Sequence, residues 1–316
     1  MFRVLWCGLL STCLFACTPE STSTAPPTIN FYHWQTQLDP DGNALATLDS
    51  FDSRRLYVKV FDVVWDGEPT PTALLRADAR RDLPPLTPVI FITNETLRRL
   101  PATGVTELAD NLLRLTDERM PTAYTGLQID CDWTAGTRER YFALLRALRS
   151  ARPALDVTCT VRLHQYRDRD RQGIPPVDTA VLMAYNTGNL NDPALQNSIY
   201  DSSIVKTYVA DQPPYPIPLH LATAVYRRDQ LAYLSNEPDL TSLSSTRFSP
   251  LSKGRYRVDS SHYYAGLYLY AGDEVRLEEV PPYSLSKQIE LLRRYVAPHP
   301  GQEVIVYRLG SRLWDR

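Results

Sequence analysis

The sequence predicts an α/β fold of the (β/α)8 type, a closed barrel of parallel strands surrounded by helices. Eight strand-like apolar runs recur along the 316 residues, with helical or polar segments between them. Two carboxylates, Asp130 and Asp132, stand where the fourth run ends and a helix begins. In parallel α/β folds ligands bind at that end of the strands. An open doubly wound sheet is the main alternative, but Gln35–Asp39 after the first run lacks the glycine-rich turn that such sheets often carry.

Each predicted strand is a run of apolar and β-branched residues bounded by turn-forming or polar residues. In chain order the eight strands span residues 28–34, 56–62, 88–93, 126–133, 156–164, 179–185, 218–226 and 303–309. Apolar residues at helical spacing predict helices over residues 105–115, 138–148 and 285–296. Either Thr134 or Thr137 is expected to cap the second of these helices.

One segment between the seventh and eighth strands, residues 227–283, departs from this alternation. It contains an expected hairpin, in which Tyr263–Tyr270 turns at Ala271–Asp273 and returns as Glu274–Val280. We therefore predict an insertion on the barrel rim, within one barrel domain that spans residues 28–316.

The N-terminal segment is predicted to be a signal. Arg3 is followed by an apolar run, Val4–Phe15, that is too short to span a bilayer comfortably. The run closes with Leu14–Cys17, which resembles the bacterial lipoprotein cleavage box. We expect residues 1–16 to be a lipoprotein signal peptide; the alternative is an ordinary signal peptide cut near Ala16.

By the same resemblance, Cys17 becomes the lipidated first residue of the mature chain, and residues 17–27 form a polar tether. Thr18, where an Asp would favour retention in the inner membrane, favours the outer membrane by resemblance to Gram-negative lipoproteins. The expected location is therefore the cell envelope, lipid-anchored and facing the periplasm or the cell surface.

Composition and histidine spacing exclude several partner and site classes. A net charge of −2 gives no reason to expect nucleic acid, and a membrane is expected as a partner only through the anchor on Cys17. His33, His164 and His220 lie on separate predicted strands, without HxH or HExxH spacing, so no metal site is expected. There is no P-loop, GxSxG elbow or dinucleotide fingerprint, and no cofactor is expected.

Two cysteines remain after signal removal and lipidation, Cys131 and Cys159, in an oxidising compartment. Both are predicted to face outward on neighbouring strands. A disulfide is one possibility; their offset along the strands favours two buried free thiols.

Side-chain alternation places charged residues inside the barrel. Asp130 and Asp132 share one face of the fourth strand, and Arg162 and His164 share the polar face of the fifth. On the second strand Val58 and Val60 form the natural outward pair, which turns Lys59 inward. A buried lysine needs a counter-charge, and Asp130 is the expected partner. The alternative interpretation is a purely structural charge network.

Other residues near the strand ends are candidates for contacting a ligand. Tyr185 is predicted to point inward at the end of the sixth strand, followed by Asn186, and Asp62 ends the second strand. Aromatic side chains form an expected lining for the mouth, since sugar rings present apolar C–H faces that stack on aromatics: Tyr32, Trp34, Trp65, Tyr263 and Tyr264.

Two short motifs resemble those of the chitinase-type family 18 glycoside hydrolase barrel. They are Asp130–Trp133 on the fourth strand and Met183–Asn186 on the sixth. The family carries DxxDxDxE and M-x-Y-[DN] at these places, with a small insertion between strands seven and eight. The resemblance implies a (β/α)8 barrel that acts on a glycan. The chain as a whole also resembles bacterial lipoproteins with a barrel of this type.

The sequence departs from the family motif at two positions. Leu127 stands where the first Asp belongs, and Thr134 stands where the catalytic Glu belongs. In the family that Glu is the general acid, and the N-acetyl group of the substrate is the nucleophile. A threonine hydroxyl does not protonate a leaving group at useful rates.

The leading hypothesis is therefore a glycoside-hydrolase-like lipoprotein that acts on a polysaccharide or glycan through an acid at the end of the fourth strand. In this hypothesis the roles are Asp132 as acid/base, Asp130 and Lys59 as its support, Arg162 and His164 as polar wall, Tyr185 and Asn186 as substrate contacts, and Trp34 and Asp62 as further binding residues. If the general acid stands at another position than residue 134, the candidates are Asp62, Asp66, Glu95 and Asp132. The alternatives are a non-catalytic glycan-binding barrel that has lost the Glu, or unrelated barrel chemistry.

Overall fold

The computed structural model describes residues 26–78, 82–189, 192, 194–229, 247–264 and 267–314. The predicted signal peptide, Cys17 and most of the predicted tether lie outside the described residues. Among the helices in the described part of the chain, none is long and apolar enough to cross a membrane.

Eight parallel strands close into a barrel, as the sequence predicts. The barrel strands are β1 (Thr28–His33), β2 (Leu56–Asp66), β4 (Leu86–Ile92), β5 (Gly126–Asp130), β6 (Asp156–Arg162), β7 (Ala180–Met183), β8 (Leu219–Ala224) and β15 (Glu303–Tyr307). They are hydrogen-bonded in the order β1-β15-β8-β7-β6-β5-β4-β2, and β1 pairs in parallel with β2 to complete the ring. The remaining strand of this sheet, β3 (Glu68–Thr72), pairs antiparallel with the end of β2.

Helices separate most of the barrel strands along the chain. They are α1 (Gly42–Ser50), α2 (Asn94–Arg99), α3 (Val105–Arg119), α4 (Arg138–Ala151), α5 (Leu163–Arg167), α6 (Arg169–Gln172), α7 (Ser202–Val209) and α8 (Leu285–Tyr295). The three predicted helices correspond to α3, α4 and α8, which are long enough to show a helical period. Helical periodicity does not predict α1, α2, α5, α6 and α7, because each has only one to three turns. The start of α2 is indicated instead by Asn94–Thr96, which the sequence suggests as a helix cap.

The apolar core lies mainly between the strands and the helices. Outward-facing side chains such as Val58, Ile129 and Cys159 are fully buried there. Trp133 stacks on Tyr141 of α4, with ring centroids 5.1 Å apart and planes 24° apart. The outward orientation of Trp133 leaves the alternate positions of β5 facing the barrel axis.

The predicted pair of buried thiols is present. Cys131 and Cys159 are both free and buried in the outer core. Ile129 is the residue in register with Cys159, so Cys131 lies two residues further along its strand, the offset that the sequence predicted. Burial raises the pKa of both thiols.

The amino end of the barrel is closed by a polar network. Glu303 Oε2 accepts hydrogen bonds from Tyr57 Oη at 2.7 Å and from Asn30 Nδ2 at 3.0 Å. Arg55 Nε lies 3.9 Å from the other oxygen of Glu303. The Glu303 amide donates to Nδ1 of His220, whose pKa burial lowers to about 4. These side chains fill the amino end, and the residues that the sequence predicts for a site stand at the opposite, carboxyl end.

The insertion between β8 and β15 is built largely of short strands. A four-stranded antiparallel sheet has the order β10-β11-β14-β9, in which β9 is Arg227–Asp229, β10 is Phe248–Ser252, β11 is Arg255–Val258 and β14 is Glu274–Glu279. A separate two-stranded hairpin consists of β12 (His262–Tyr264) and β13 (Leu267–Leu269).

The predicted pairing of Tyr263–Tyr270 with Glu274–Val280 is therefore wrong. The tyrosine-rich run folds back on itself, with Tyr263 opposite Tyr268. Strand β14 instead lies between β11 and β9. It therefore has a partner along each edge rather than a single hairpin partner.

Candidate functional site at the carboxyl end of the barrel

The strand ends bring together a set of polar and aromatic side chains, which we call the mouth. Each member stands at the end of a barrel strand or within three residues of it, apart from Asp62 and Lys59, which lie within the long strand β2: Trp34, Lys59, Asp62, Asp130, Asp132, Arg162, Tyr185, Asn186, Tyr226 and Tyr307. Because parallel strands end at one rim of a closed barrel, these residues meet although they are distant in sequence.

Asp130 forms the floor of the mouth. Its side chain is 5% exposed, and Oδ1 accepts a hydrogen bond from Thr160 Oγ1 at 2.7 Å. Burial raises the pKa of Asp130 to about 6; the hydrogen bond from Thr160 acts against this rise, and the negative charge of Asp132 adds to it. Asp130 is therefore a carboxyl group that changes its protonation close to neutral pH.

Asp132 lies nearer the solvent and is ion-paired. Its Oδ1 is 3.5 Å from Nε of Arg162, and about half of the Asp132 side chain is exposed. Arg162 is the last residue of β6 and faces the mouth, as alternation predicts. This arrangement leaves a part of the Asp132 carboxylate accessible to a ligand.

His164 does not continue the strand, so the predicted extension of the fifth strand to residue 164 is wrong. The chain leaves β6 after Arg162 and enters α5, where the side chain of Gln165 accepts a hydrogen bond from the Arg162 amide at 2.7 Å. His164 lies in the first turn of α5 and is partly buried. Burial and the charge of Arg162 lower its pKa, and the charge of Asp132 acts in the opposite direction. His164 therefore borders the mouth from a helix.

Lys59 is buried and points inward, but its predicted ion pair with Asp130 is wrong. Its Nζ lies 3.0 Å from each carboxylate oxygen of Asp62, with good hydrogen-bond geometry to Oδ2. The register between β2 and β4 shifts between Lys59 and Phe61, which marks a bulge. A bulge inserts one residue into a strand, so both Val60 and Phe61 pack in the outer core while Lys59 and Asp62 share the inner face.

Four aromatic rings form one wall of the mouth. Tyr307 stacks on Tyr185 with centroids 5.5 Å apart, and Tyr226 meets Tyr307 edge-on at 5.1 Å. Trp34 meets Tyr307 edge-on at 6.0 Å, and Lys59 Nζ lies 5.7 Å from the centre of the Trp34 ring. Tyr185 and Tyr226 are buried, whereas Trp34 and Tyr307 keep part of their surface exposed. These two rings are the apolar surface that the wall offers to a ligand.

Asn186 connects this wall to the insertion. It adopts a left-handed backbone conformation, with φ of 52°, after the end of β7. Its Oδ1 accepts hydrogen bonds from Tyr226 Oη at 3.1 Å and from Arg228 Nη1 at 3.5 Å. The side-chain oxygen Oδ1 of Asn186 thus already accepts from two donors, one of which, Arg228, belongs to the insertion.

Thr134, at the position of the family's catalytic Glu, belongs to the start of α4. Its amide donates to Thr137 Oγ1 at 2.9 Å, and its carbonyl accepts from the amides of Thr137 and Arg138. The side chain is exposed to solvent. The structure thus gives Thr134 a local role in the turn that leads into the helix.

The other aromatic residues suggested by the sequence lie elsewhere. Tyr32 is buried below the mouth, where it donates a hydrogen bond to Gln128 at 2.7 Å. Trp65 lies on the extension of β2 opposite Pro69. Tyr263 and Tyr264 belong to the β12–β13 hairpin of the insertion.

Sequence reasoning missed Thr160, Tyr226, Tyr307 and Arg228 as members of the site. Alternation gave a signal for three of them, and for Tyr226 it is the alternation with the outward residues Leu221 and Val225. Thr160 lies on the same predicted face as Arg162, and Tyr307 alternates with the outward residues Val304 and Val306. The role of Arg228 depends on how the insertion folds and carries no local signal. Within the described ranges, no cluster of three or more His, Cys, Asp or Glu side chains is placed to hold a metal ion.

Comparison with known proteins yields likenesses to solved structures alone. No family model matches the chain, and no curated protein matches it. The xylanase and α-amylase inhibitor protein XAIP-II from Scadoxus multiflorus is 11% identical, covers 92% of this chain and 95% of its own, and has a TM-score of 0.47. The C-terminal domain of Legionella pneumophila ChiA is 11% identical, with 91% and 94% coverage and a TM-score of 0.44.

A putative chitinase A from Streptomyces coelicolor is 13% identical, with 63% and 75% coverage and a TM-score of 0.41. At identities this low a likeness bears on the fold alone. The assignment of a (β/α)8 barrel depends on the strand order and closure described above.

Proposed function

We propose that this protein binds a glycan chain at the carboxyl end of its barrel. The observation that carries the proposal is the aromatic wall of Trp34 and Tyr307 beside the carboxylates of Asp62 and Asp132. A sugar ring presents an apolar C–H face together with hydroxyl groups. Ligand sites of this type combine aromatic surface with a few fixed polar groups that set orientation.

Lys59 and Arg162, the two cations of the mouth, are each paired with a carboxylate, which favours a neutral glycan. Lys59 pairs with Asp62, and Arg162 pairs with Asp132. An acidic sugar would need an uncompensated cation, and a cationic ligand would have to displace Lys59 or Arg162. Neutral hydroxyl groups, by contrast, can donate to the carboxylates without breaking either pair.

The test is a screen of neutral oligosaccharides on a glycan array, followed by calorimetry with the ligand found. Trp34→Ala should weaken binding about tenfold or more, because truncation of an aromatic anchor removes the stacking surface. Tyr283→Ala is the matched control, since that ring is 83% exposed and lies in the turn before α8. Equal affinity of Trp34→Ala and the wild-type protein would contradict a site at the mouth.

Hydrolysis is a second candidate function, favoured by the raised pKa of Asp130. A carboxyl group with a pKa of about 6 holds a proton at mildly acidic pH and is able to donate it. Asp132 then supplies the second carboxylate, whereas the sequence hypothesis gave Asp132 the acid/base role and Asp130 a supporting role. Release of reducing ends from the bound glycan would establish turnover, and Asp132→Asn should abolish it. Undiminished turnover in Asp132→Asn would exclude this residue.

A substitution at Thr134 distinguishes a barrel that has lost only the general acid of the resembled family from a barrel that catalyses a different reaction. Thr134→Glu introduces the carboxyl group that the resembled family uses, at an exposed side chain whose own backbone contacts are independent of it. A gain of chitin-oligosaccharide cleavage would indicate that the barrel retains the remaining machinery. Continued binding without cleavage in both forms supports a glycan-binding protein.

We also propose that the mature chain is lipid-anchored in the cell envelope through Cys17. Thr28 begins β1 at the amino end of the barrel, opposite the mouth. A tether of about ten residues reaches at most about 35 Å, so an anchor on this side holds the amino end towards the membrane. Metabolic labelling with a fatty-acid analogue should mark the wild-type protein and leave Cys17→Ser unmarked; equal labelling would refute the assignment.

A further inference from the structure

Three exposed tyrosines share one face of the β12–β13 hairpin and its continuation. Tyr263, Tyr268 and Tyr270 are 74%, 47% and 64% exposed, and together we call them the tyrosine face. Tyr263 stands directly opposite Tyr268 in the antiparallel register, and Tyr270 follows two residues later on the same side. The rings meet edge-on, with centroids 5.0 Å apart in the first pair and 5.2 Å in the second.

The opposite side of the hairpin fixes it to the inserted sheet. Phe248 of β10 meets His262 at 5.2 Å and Tyr264 at 5.6 Å, both edge-on. Leu269 is buried in the same small core. The hairpin is therefore anchored by one side, while the tyrosine face is turned to solvent and makes no contribution to that core.

The surroundings of the tyrosine face indicate the charge of its ligand. The described residues of β12 and β13 include no acid, lysine or arginine. Two carboxylates close to the hairpin in sequence are engaged within the insertion: Asp259 accepts from Ser249 Oγ, and Asp273 accepts from the Tyr270 amide. Three uncharged phenol rings on strands without charged residues suit a neutral ligand that offers apolar C–H faces and hydroxyl groups.

The chain continues from the tyrosine face into β14, a strand that runs towards the barrel. Strand β14 begins at Glu274, four residues after Tyr270, and ends at Glu279. The next residue, Val280, packs with Tyr226 in the interior cluster of the barrel. Five residue steps at about 3.3 Å each place the two ends of β14 roughly 17 Å apart.

We propose that the tyrosine face is a second binding site, for the surface or extended chain of a neutral polysaccharide. The class of ligand rests on the proposed function of the mouth, whereas the site itself rests on the exposed rings. A membrane is the less suitable occupant, because the insertion rises from the carboxyl end of the barrel and the N-terminal segment enters at the amino end. The site would hold a polymer against the protein while the mouth engages one of its chains.

The experiment measures retention of the full mature chain on insoluble chitin, cellulose and mannan. The variant is Tyr263→Ala/Tyr268→Ala/Tyr270→Ala, and Tyr283→Ala is the control that removes an equally exposed ring elsewhere. We expect the wild-type protein and the control to be retained on at least one polymer. The triple variant should bind it at least about tenfold more weakly, with unchanged circular dichroism and unchanged affinity for a short oligosaccharide at the mouth.

This design tests ligand binding at the mouth and at the tyrosine face separately. Trp34→Ala should lose the short oligosaccharide and keep most of its retention on the polymer. Retention that depends on Trp34 and not on the tyrosine face would overturn this inference and leave the proposed function standing.

Three other outcomes also overturn the inference. They are no retention of the wild-type protein on any of the three polymers, binding to phosphatidylcholine vesicles that the triple variant loses, and a concentration-dependent dimer that the triple variant loses. The second outcome assigns the face to a lipid surface, and the third assigns it to another copy of the chain.

Discussion

At the scale of single residues, Asp130 is a buried carboxyl group whose hydrogen bond comes from an uncharged hydroxyl. Its pKa of about 6 lies above the value of about 3.9 for an unfolded chain. As the pH rises from 4 to 6, the Asp130 carboxyl group loses its proton in the unfolded chain while it keeps it in the native state. The native state therefore loses stability relative to the unfolded chain. At 1.36 kcal/mol for each pKa unit, the loss at neutral pH is about 2–3 kcal/mol.

Asp130→Asn removes this pH-dependent loss. The free energy of unfolding of the variant minus that of the wild-type protein should be about 2 kcal/mol higher at pH 7 than at pH 4, so the variant is relatively more stable at pH 7. Denaturant titrations at both pH values measure it. Asp117→Asn is the control, because the hydrogen bond from Arg152 lowers the pKa of Asp117. Its free energy of unfolding relative to the wild-type protein should therefore fall, not rise, between pH 4 and pH 7. Parallel pH profiles for Asp130→Asn and the wild-type protein would contradict the assigned pKa.

The Lys59–Asp62 pair makes a second prediction at this scale. Lys59→Met leaves the largely buried Asp62 carboxylate without its cation and should lower the free energy of unfolding by about 2 kcal/mol. Lys59→Met/Asp62→Leu should recover most of that loss, because replacing both partners leaves no unpaired charge. Denaturant unfolding of the single and double variants measures the coupling; strictly additive effects would show that the pair is not coupled.

The same pair shows how far alternation along a strand predicts a site. Alternation correctly predicted that Lys59 points inward, because the apolar side chains of Val58 and Val60 pack in the outer core. It could not predict the partner, since the bulge at Val60 and Phe61 changes the face of every later residue. Two apolar residues in succession are compatible with a bulge or with the end of a strand, and pairing with β4 decides between them.

At the scale of elements, a buried ion-pair network holds the insertion against the barrel. Glu278 of β14 has a fully buried side chain. Its Oε1 accepts from Arg276 Nε at 2.8 Å, and its Oε2 accepts from Arg228 Nε at 3.1 Å and from Ser198 Oγ at 2.6 Å. Ser198 belongs to the segment between β7 and α7, so the network joins that segment to the inserted sheet.

Glu278→Leu should therefore destabilise the docking of the inserted sheet by about 3–5 kcal/mol, because it removes the buried carboxylate that accepts from Arg276 and Arg228. Hydrogen exchange of the β9 and β14 amides measures this local opening. Glu290→Ala is the matched control: it removes an exposed i,i+4 pair with Arg294, and the expected change is within about 0.5 kcal/mol. Equal protection of β14 in the two variants would contradict a locking role for Glu278.

Elements differ in how well the sequence predicts them. The barrel strands and the helices α3, α4 and α8 have enough turns or apolar residues to show their period. The strands of the insertion have three to six residues each, and partners distant in sequence determine their pairing. This is why the tyrosine-rich run was predicted as a strand but assigned the wrong partner.

At the scale of the whole molecule, the barrel closes independently of the insertion. The ring is completed by β1 with β15 and by β1 with β2. The insertion leaves and returns through β9 and β14, where Arg228 stands directly opposite Glu278 in an antiparallel pair. The segment between these two residues can therefore be replaced by a two-residue hairpin turn without altering the path of the barrel.

Replacement of residues 229–277 by Asn-Gly should give a folded barrel, because this dipeptide favours the turn that joins directly opposed strands. Glu278 keeps its contacts with Arg228 and Ser198 in such a variant. We expect cooperative unfolding, because all eight barrel strands and their pairings remain in this variant. Oligosaccharide binding at the mouth should persist while retention on insoluble polysaccharide is lost. Non-cooperative unfolding would show that the insertion is part of the barrel's core, and full retention on the polymer would place the polysaccharide site on the barrel itself.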